Sequence, residues 1–502
     1  MGSLLAYAIP AFIIVAFALG LAFACFVQYR LTSAASPELR LVVLMLVVGI
    51  GALLSVALMS RELDDSKVTG APTYADVVDG FAASRWISLF LIVASFIEIA
   101  RGWIEERRRA LPDPAQPLLF TMLAYYVGTV LIQAVASDVP DFSARSLYVP
   151  VVLAAIYYQR PVSIDPIIGA ARLVILTLML GSLACIWLRP DFVIHRPEPG
   201  IIPGIDWRLF GLTPHANALG PIALLAILIE LHSPARWKTL RWLALLSAMA
   251  VLVLAQSKTT WVTMPLMLLF VWLPLRLARE PADADAAGHF RRTVLTLIGL
   301  IVVLVLTAAA AAAFDVAGYL EHRVDLVTLT GRTQIWDITL RAWRENVLFG
   351  YGAGIWGPER QMEFQMFYVG QAHNQVVQTL GEAGLVGLAL LLVYLFALLL
   401  AALRNFAASR GFVLMLLMLM LVRCVTEAPM RSEGILSWST FLHALLLVMA
   451  CHYAREPRRS PVADRVAAVH AARAGARQRP DRRLDECRGG CASHACYHVP
   501  LR

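Results

Sequence analysis

Runs of apolar residues long enough to cross a bilayer recur along most of this chain, and they constrain its fold more than any other feature. A span needs roughly 20 such residues, fewer where the helix is buried among neighbours. Read this way, the 502 residues give spans near 4–27, 40–59, 86–104, 118–136, 146–158, 167–188, 216–231, 239–255, 259–275, 294–314, 385–403, 411–424 and 435–453. The run at 146–158 is short and is expected to be tilted, re-entrant or extended into its flanks. Only 16% of the chain is charged and 59% is hydrophobic, where soluble domains carry about 25% charge. A soluble enzyme, a disulfide scaffold and a disordered chain are thereby excluded. The expected fold is an all-α polytopic membrane protein of about 12–13 transmembrane helices with one large outward loop containing short helices.

Four regions follow: an N-terminal transmembrane bundle over 1–314, the large loop over 315–384, C-terminal spans over 385–453 and a basic tail over 454–502. The first run has no small-residue cleavage pattern behind it, so it is expected to stay as an anchor. The net charge of +8 is mostly a topology signal. One alternating assignment puts Arg107–Arg109, Arg236, Lys238, Arg241, Arg276, Arg279, Arg291, Arg292, Arg404, Arg410 and the tail on one side. That side holds roughly two thirds of the 43 basic residues and is expected to be cytoplasmic, with the N-terminus outside. Nucleic acid is not an expected partner. The tail, rich in Arg, Ala and Pro without helical or strand period, is expected to be disordered and drawn to anionic lipid. Cys25, Cys185, Cys424 and Cys451 fall within spans as small apolar residues. Cys487, Cys491 and Cys496, with His494 and His498, lack the paired spacing of a zinc site.

The outward loop is far longer than an ordinary connection, which marks it as functional or folded. Within it, 332–348 reads as an amphipathic helix whose stripe is Trp336, Leu340, Trp343 and Val347, with Arg341 and Arg344 facing away. The glycines from Gly350 to Gly357 break structure; without a preceding strand their spacing is not a dinucleotide loop. A second short helix is expected from His373 and Asn374 to Glu382, broken by Gly381 and Gly384. At the outer ends of spans sit Arg145, Arg189, Arg196, His215, Asn217, Lys258, Arg423, Glu427 and Arg431. Singly, each has a bland explanation: basic residues anchor span ends by snorkelling, and His215 with Asn217 can cap a helix. Gathered on the side that basic residues tend to avoid, they fit a lipid-linked phosphate or diphosphate. No dense acidic cluster accompanies them, so neither metal nor cofactor is expected.

Four segments carry a family resemblance: Thr213-Pro-His215-Ala-Asn217-Ala-Leu-Gly220, Gln256-Ser-Lys258-Thr259, Gly331-Arg332-Thr-Gln-Ile-Trp336, and His373-Asn374 followed by Glu382-Ala-Gly384-Leu-Val-Gly387. With this order and the late outer loop, the chain resembles the O-antigen ligase and polysaccharide polymerase family of bacterial inner membranes. The likeness runs over about 200–405; earlier residues share only the hydropathy pattern. Membership implies metal-independent transfer of a glycan from undecaprenyl diphosphate to an acceptor hydroxyl at the periplasmic face. It makes His373 the general base and places Arg332 and Lys258 on the diphosphate. Many relatives have arginine where this chain has Lys258, a point charge rather than a bidentate fork. His215, Asn217, Asn374, Glu382, Arg341 and Arg431 complete the candidate substrate-binding set, with His215 and Asn217 open to a structural part and Glu382 to orienting His373. Attack opposite the diphosphate is expected to invert the anomeric carbon.

The Gln-Ser-Lys-Thr-Thr turn and the Leu209-Phe-Gly-Leu-Thr-Pro-His215 lead-in favour an exopolysaccharide or O-antigen polymerase over a ligase acting on lipid A core. A chain-length regulator and a flippase are candidate partners beside the bilayer. Two other functional classes would leave different marks in the sequence. A metal-dependent transferase would use Glu62, Asp64, Asp65, Asp76 and Asp79 of the first outer loop. A lipid-linked oligosaccharide transporter would show internal repeats and polar groups at mid-membrane; here the polar groups collect at one boundary.

Overall fold

The computed structural model describes residues 35–58, 82–109, 111–196, 205–268, 332–366, 369–432 and 434–456, with Arg61, Leu63 and Ile202. The expected spans at 4–27 and 294–314, the acidic residues Glu62 to Asp79, the loop segment 315–331 and the tail cysteines lie outside the described residues. The other eleven expected spans each overlap a helix. In chain order these are α1 (Pro37–Ala57), α2 (Ala82–Arg107), α3 (Gln116–Val135), α4 (Tyr148–Tyr158), α5 (Asp165–Leu188), α6 (Ala216–His232), α7 (Lys238–Ala255) and α8 (Lys258–Met267). The outer helix α9 (Arg332–Glu345) precedes α10 (Gln375–Arg404), α11 (Phe412–Thr426) and α12 (Trp438–Arg455). Six of them (α1, α2 from Ser84, α3, α5, α7 and α10) are long and apolar enough to cross a membrane. The chain is an all-α polytopic membrane protein.

Composition sets the layers. Helices α6, α11 and α12 are apolar nearly all round and buried nearly all round, so they form the centre. Around them, α2, α3 and α10 turn residues such as Phe96, Phe120 and Phe396 outward, the face a bilayer covers. The short run at 146–158 is helical over Tyr148–Tyr158, preceded by a 3₁₀ turn at Ala144–Leu147. It needs no full length because it is buried among its neighbours. Small residues let helices touch: a Cβ on Gly49 of α1 would meet Val174 of α5 at 2.5 Å.

The bundle has two unlike ends. One gathers the end of α4, the chain before α3 and the end of α12, where Arg455 reaches Asp113 and the carbonyls of Tyr157 and Gln159. The other gathers the start of α6, the α7–α8 turn, the start of α10 and the end of α11. There a two-residue antiparallel ribbon pairs Ile194 with Leu209 and His195 with Arg208.

Candidate functional site

The site is built where α10 begins. Asn374 is its N-cap, its side-chain oxygen accepting the backbone N–H groups of Val376 and Val377 at 2.9 and 3.1 Å, as an asparagine cap should. This fixes His373 one residue earlier, in the left-handed region at φ 49°. A histidine there is uncommon and must be held by its surroundings. The hold is complete on both sides of the turn. Arg431 donates to the Gly370 carbonyl at 3.0 Å, and the Trp336 indole to the Ala372 carbonyl at 2.8 Å. The Gln378 side-chain oxygen accepts the Ala372 N–H at 2.5 Å.

The break at Gly384 serves the same end. Gly384 leaves helical geometry at φ 62°, ψ −159°, and a Cβ there would sit 2.3 Å from the Leu348 carbonyl oxygen. The backbone N–H groups of Leu385 and Val386, freed by the break, bond to the carbonyls of Val347 and Leu348 at 3.0 and 3.1 Å. The Tyr351 N–H returns to the Gly381 carbonyl at 2.8 Å. A broken helix is thus fully satisfied by the glycine loop pressed into it. Gly381, expected as a second break, stays helical. What it supplies is room, since a Cβ there would meet Thr339 of α9 at 2.5 Å.

That contact also corrects the reading of α9. The helix ends at Glu345 rather than 348, and its buried face is Ile335, Ile338, Thr339 and Ala342, about one residue round from the stripe read off the tryptophans. Trp336 and Trp343 flank this face with their indole nitrogens on carbonyls, while Val347 is exposed. Thr339 faces α10 where the two helices approach closely at Gly381; the amphipathic tryptophans suit the border. Ile335, Ile338 and Ala342 pack with Ile355, Trp356, Met366, Val369 and Ala372 as a small core of their own.

At the end of α11, Glu427 faces this turn. His373 Nδ1 lies 2.7 Å from Glu427 Oε2, Gln371 Nε2 donates to the same oxygen at 2.8 Å, and an Arg332 nitrogen lies 3.5 Å from Glu427 Oε1. Burial pushes the Glu427 carboxyl up. The hydrogen bond and charge of His373, with the charges of His215 and Arg332, outweigh it and hold the carboxyl below its usual range. With Glu427 ionised, His373 Nδ1 is the donor to it, and in the neutral imidazole this tautomer puts the lone pair on Nε2. Its side chain is 30% exposed, against 11% for Glu427. A carboxylate that fixes the tautomer of a half-open imidazole is the arrangement of a general base.

The other candidates fall into place unevenly. Glu382 accepts from Gln378 at 2.7 Å and pairs with Arg431 at 3.2 Å. These two therefore brace the turn that carries His373, and Asn374 caps it. His215 is itself the N-cap of α6, its Nδ1 accepting the Asn217 N–H at 3.1 Å, and Asn217 Oδ1 accepts from Arg208 at 3.2 Å. The cap role is real, yet His215 lies near enough to act on Glu427. Lys258 is exposed at the first position of α8. A Cβ on Gly220 of α6 would meet the Ser257 Cβ at 2.7 Å, which docks the two motifs together. Arg341 is not brought to the group: it is exposed and paired with Asp337 one turn away on its own helix.

Sequence reading missed the glutamines and left Glu427 as a span-end residue. Gln375 joins Tyr125 at 3.2 Å and accepts the Met430 N–H at 2.8 Å. Gln371, Gln375, Gln378 and Glu382 repeat at i, i+4, i+7 and i+11, the same spacing that drew attention to the tryptophans. Among the described residues no three His, Cys, Asp or Glu side chains converge as a metal site.

Comparison with known proteins adds one match. No curated protein matches the chain. Residues 242–392 match the family model described as O-Antigen ligase, a segment that contains Lys258, Arg332, His373 and Glu382. Over that segment the chain is similar to the O-antigen ligase family of membrane proteins.

Proposed function

We propose that the protein is a metal-independent, inverting glycosyltransferase that polymerises undecaprenyl-diphosphate-linked oligosaccharide repeat units at the periplasmic face of a bacterial inner membrane. The observation that carries this is the His373–Glu427 pair beside Arg332 at one end of an apolar bundle, with His373 and Arg332 inside the family match. His373 Nε2 takes the proton of an acceptor sugar hydroxyl, and Glu427 stabilises the imidazolium that forms. The hydroxyl oxygen bonds to the anomeric carbon from the face opposite the diphosphate, and the bond from that carbon to the diphosphate oxygen breaks. Arg332 and Lys258 balance the charge left on the departing diphosphate, a contribution of ~3 kcal/mol per preorganised donor. Glu382, Arg431 and Asn374 hold the turn, and His215 with Asn217 set the neighbouring helix start.

The family description names a ligase, which favours a second reading: the same chemistry with lipid A core as acceptor. Complementation with His373→Ala and Arg332→Ala separates these, reading glycan size on gels after both variants are shown to reach the membrane. Long polymer from the unmutated protein, and single repeat units from the variants, supports the polymerase. Polymer that forms but stays on its lipid carrier in the variants supports the ligase. Activity surviving in both variants sinks the site.

A further inference from the structure

Two donors end on one oxygen of Glu427. His373 Nδ1 and Gln371 Nε2 stand 2.7 and 2.8 Å from Oε2, using both of its acceptor positions. The other oxygen has the long 3.5 Å contact to Arg332. The Gln371 amide cannot be turned round, because its own oxygen accepts the Ala428 N–H at 3.2 Å. Reversed, it would set oxygen against carboxylate and NH₂ against N–H. One amide therefore grips both the side chain of Glu427 and the backbone just after it.

The grip matters because Glu427 has two suitors. It follows the last residue of α11 in extended conformation, φ −149°, so its side chain is not confined by a helical turn. Arginine and carboxylate prefer a bidentate pairing, and Arg332 is near enough to form one if the carboxylate swings. That swing would take the orienting partner from His373. It would also occupy on the protein the guanidinium donors that a phosphate needs.

We propose that Gln371 is a positioning residue: its amide commits Glu427 Oε2 to His373 and keeps the carboxylate from closing onto Arg332. The inference rests on His373 acting as the base. The charged and titratable groups around Glu427 are His373, His215, Arg332 and, one turn back on α11, Arg423. Gln371 is the uncharged member that settles which of them the carboxylate serves.

The test uses the full chain in membranes, with a polyprenyl-diphosphate-linked oligosaccharide that the unmutated protein consumes. Initial rates against substrate concentration, giving kcat and KM, and unfolding midpoints are measured for Gln371→Met, Gln371→Glu and His373→Ala. Gln371→Met is expected to lose roughly 10- to 100-fold in kcat, the scale of a small misplacement of a reacting group, with little change in KM or midpoint. Gln371→Glu is expected to be slower still, since a second carboxylate repels the first. An unchanged kcat in Gln371→Met overturns the proposal. So does a loss that tracks the folded fraction, for that is a structural role. Full activity in His373→Ala instead removes the base, and the underlying reading falls first.

Discussion

Each end of the bundle carries a buried carboxylate held by arginine, and the two are finished differently. Asp113 is wholly enclosed: Arg455 donates to it from two nitrogens at 2.8 to 3.1 Å, and Arg160 forms an ion pair with it at 2.7 Å. Arg455 also donates to the carbonyls of Tyr157 and Gln159 and lies over the Tyr157 ring. Burial raises the Asp113 carboxyl, and its hydrogen bonds from Arg455 and the Ala115 N–H, with the charge of Arg160, bring it below the usual range. Glu427 at the other end is held low by the same kind of balance. Its partners, however, are a half-open imidazole, an amide and one distant guanidinium. A network whose opposite charges are enclosed against each other locks helices together. One that includes a part-exposed imidazole has room for a substrate.

The largest expected effect tests the closed end. Asp113→Ala removes the carboxylate on which Arg455 closes and leaves Arg160 only its longer 3.8 Å pairing with Glu106, and breaking such a buried network costs about 3–5 kcal/mol. The variant is expected to show a lowered unfolding midpoint and reduced membrane level, while glycan transfer per folded molecule stays normal. The sign with pH follows from the depressed carboxyl. Its stabilisation is full above the unfolded value near ~3.9 and is lost as pH falls through the lower folded value. The midpoint gap between the unmutated protein and Asp113→Asn should therefore narrow below about pH 4. A gap constant with pH would mean that Asp113 does not act through its charge.

At the open end the expectation is reversed. Glu427→Gln keeps the size of the side chain and removes the charge that supports the imidazolium. Transfer is expected to fall by about 10²-fold, the lower range for losing efficient proton transfer, mostly in kcat, with the unfolding midpoint nearly unchanged. Should Glu427→Gln unfold the protein and leave kcat intact, the distinction between the two ends collapses.

What the sequence could disclose differed between these regions for a physical reason. Spans depend on local composition, so α1 to α7 and α10 to α12 were legible with boundaries close to those observed. His373 and Arg332 were legible because they stand in short motifs. Their partner was not, since Glu427 lies 54 residues beyond His373 and nothing local says that the end of α11 folds back onto the start of α10. The tryptophan stripe misled because tryptophan is large and half-polar and prefers a border. The buried face is instead Ile335, Ile338, Thr339 and Ala342, and the close approach of Thr339 to Gly381 shows only in three dimensions. The glutamine row was visible in the spacing, but amides carry no charge and were passed over.

Arg341 gives the smallest expected effect and a sharp boundary for the open end. The sequence reading includes it in the candidate substrate-binding set. The structure turns it to the exposed side of α9, where it pairs with Asp337. Exposed pairs of this kind contribute little. Arg341→Ala is therefore expected to transfer glycan within about twofold of the unmutated protein, while Arg332→Ala on the same helix loses activity. The contrast isolates position from charge, since the two substitutions remove the same group from one short helix. A loss in Arg341→Ala as deep as that in Arg332→Ala would extend the phosphate-binding surface around α9. The open end would then be a broad basic face rather than a site focused on His373, Glu427 and Arg332.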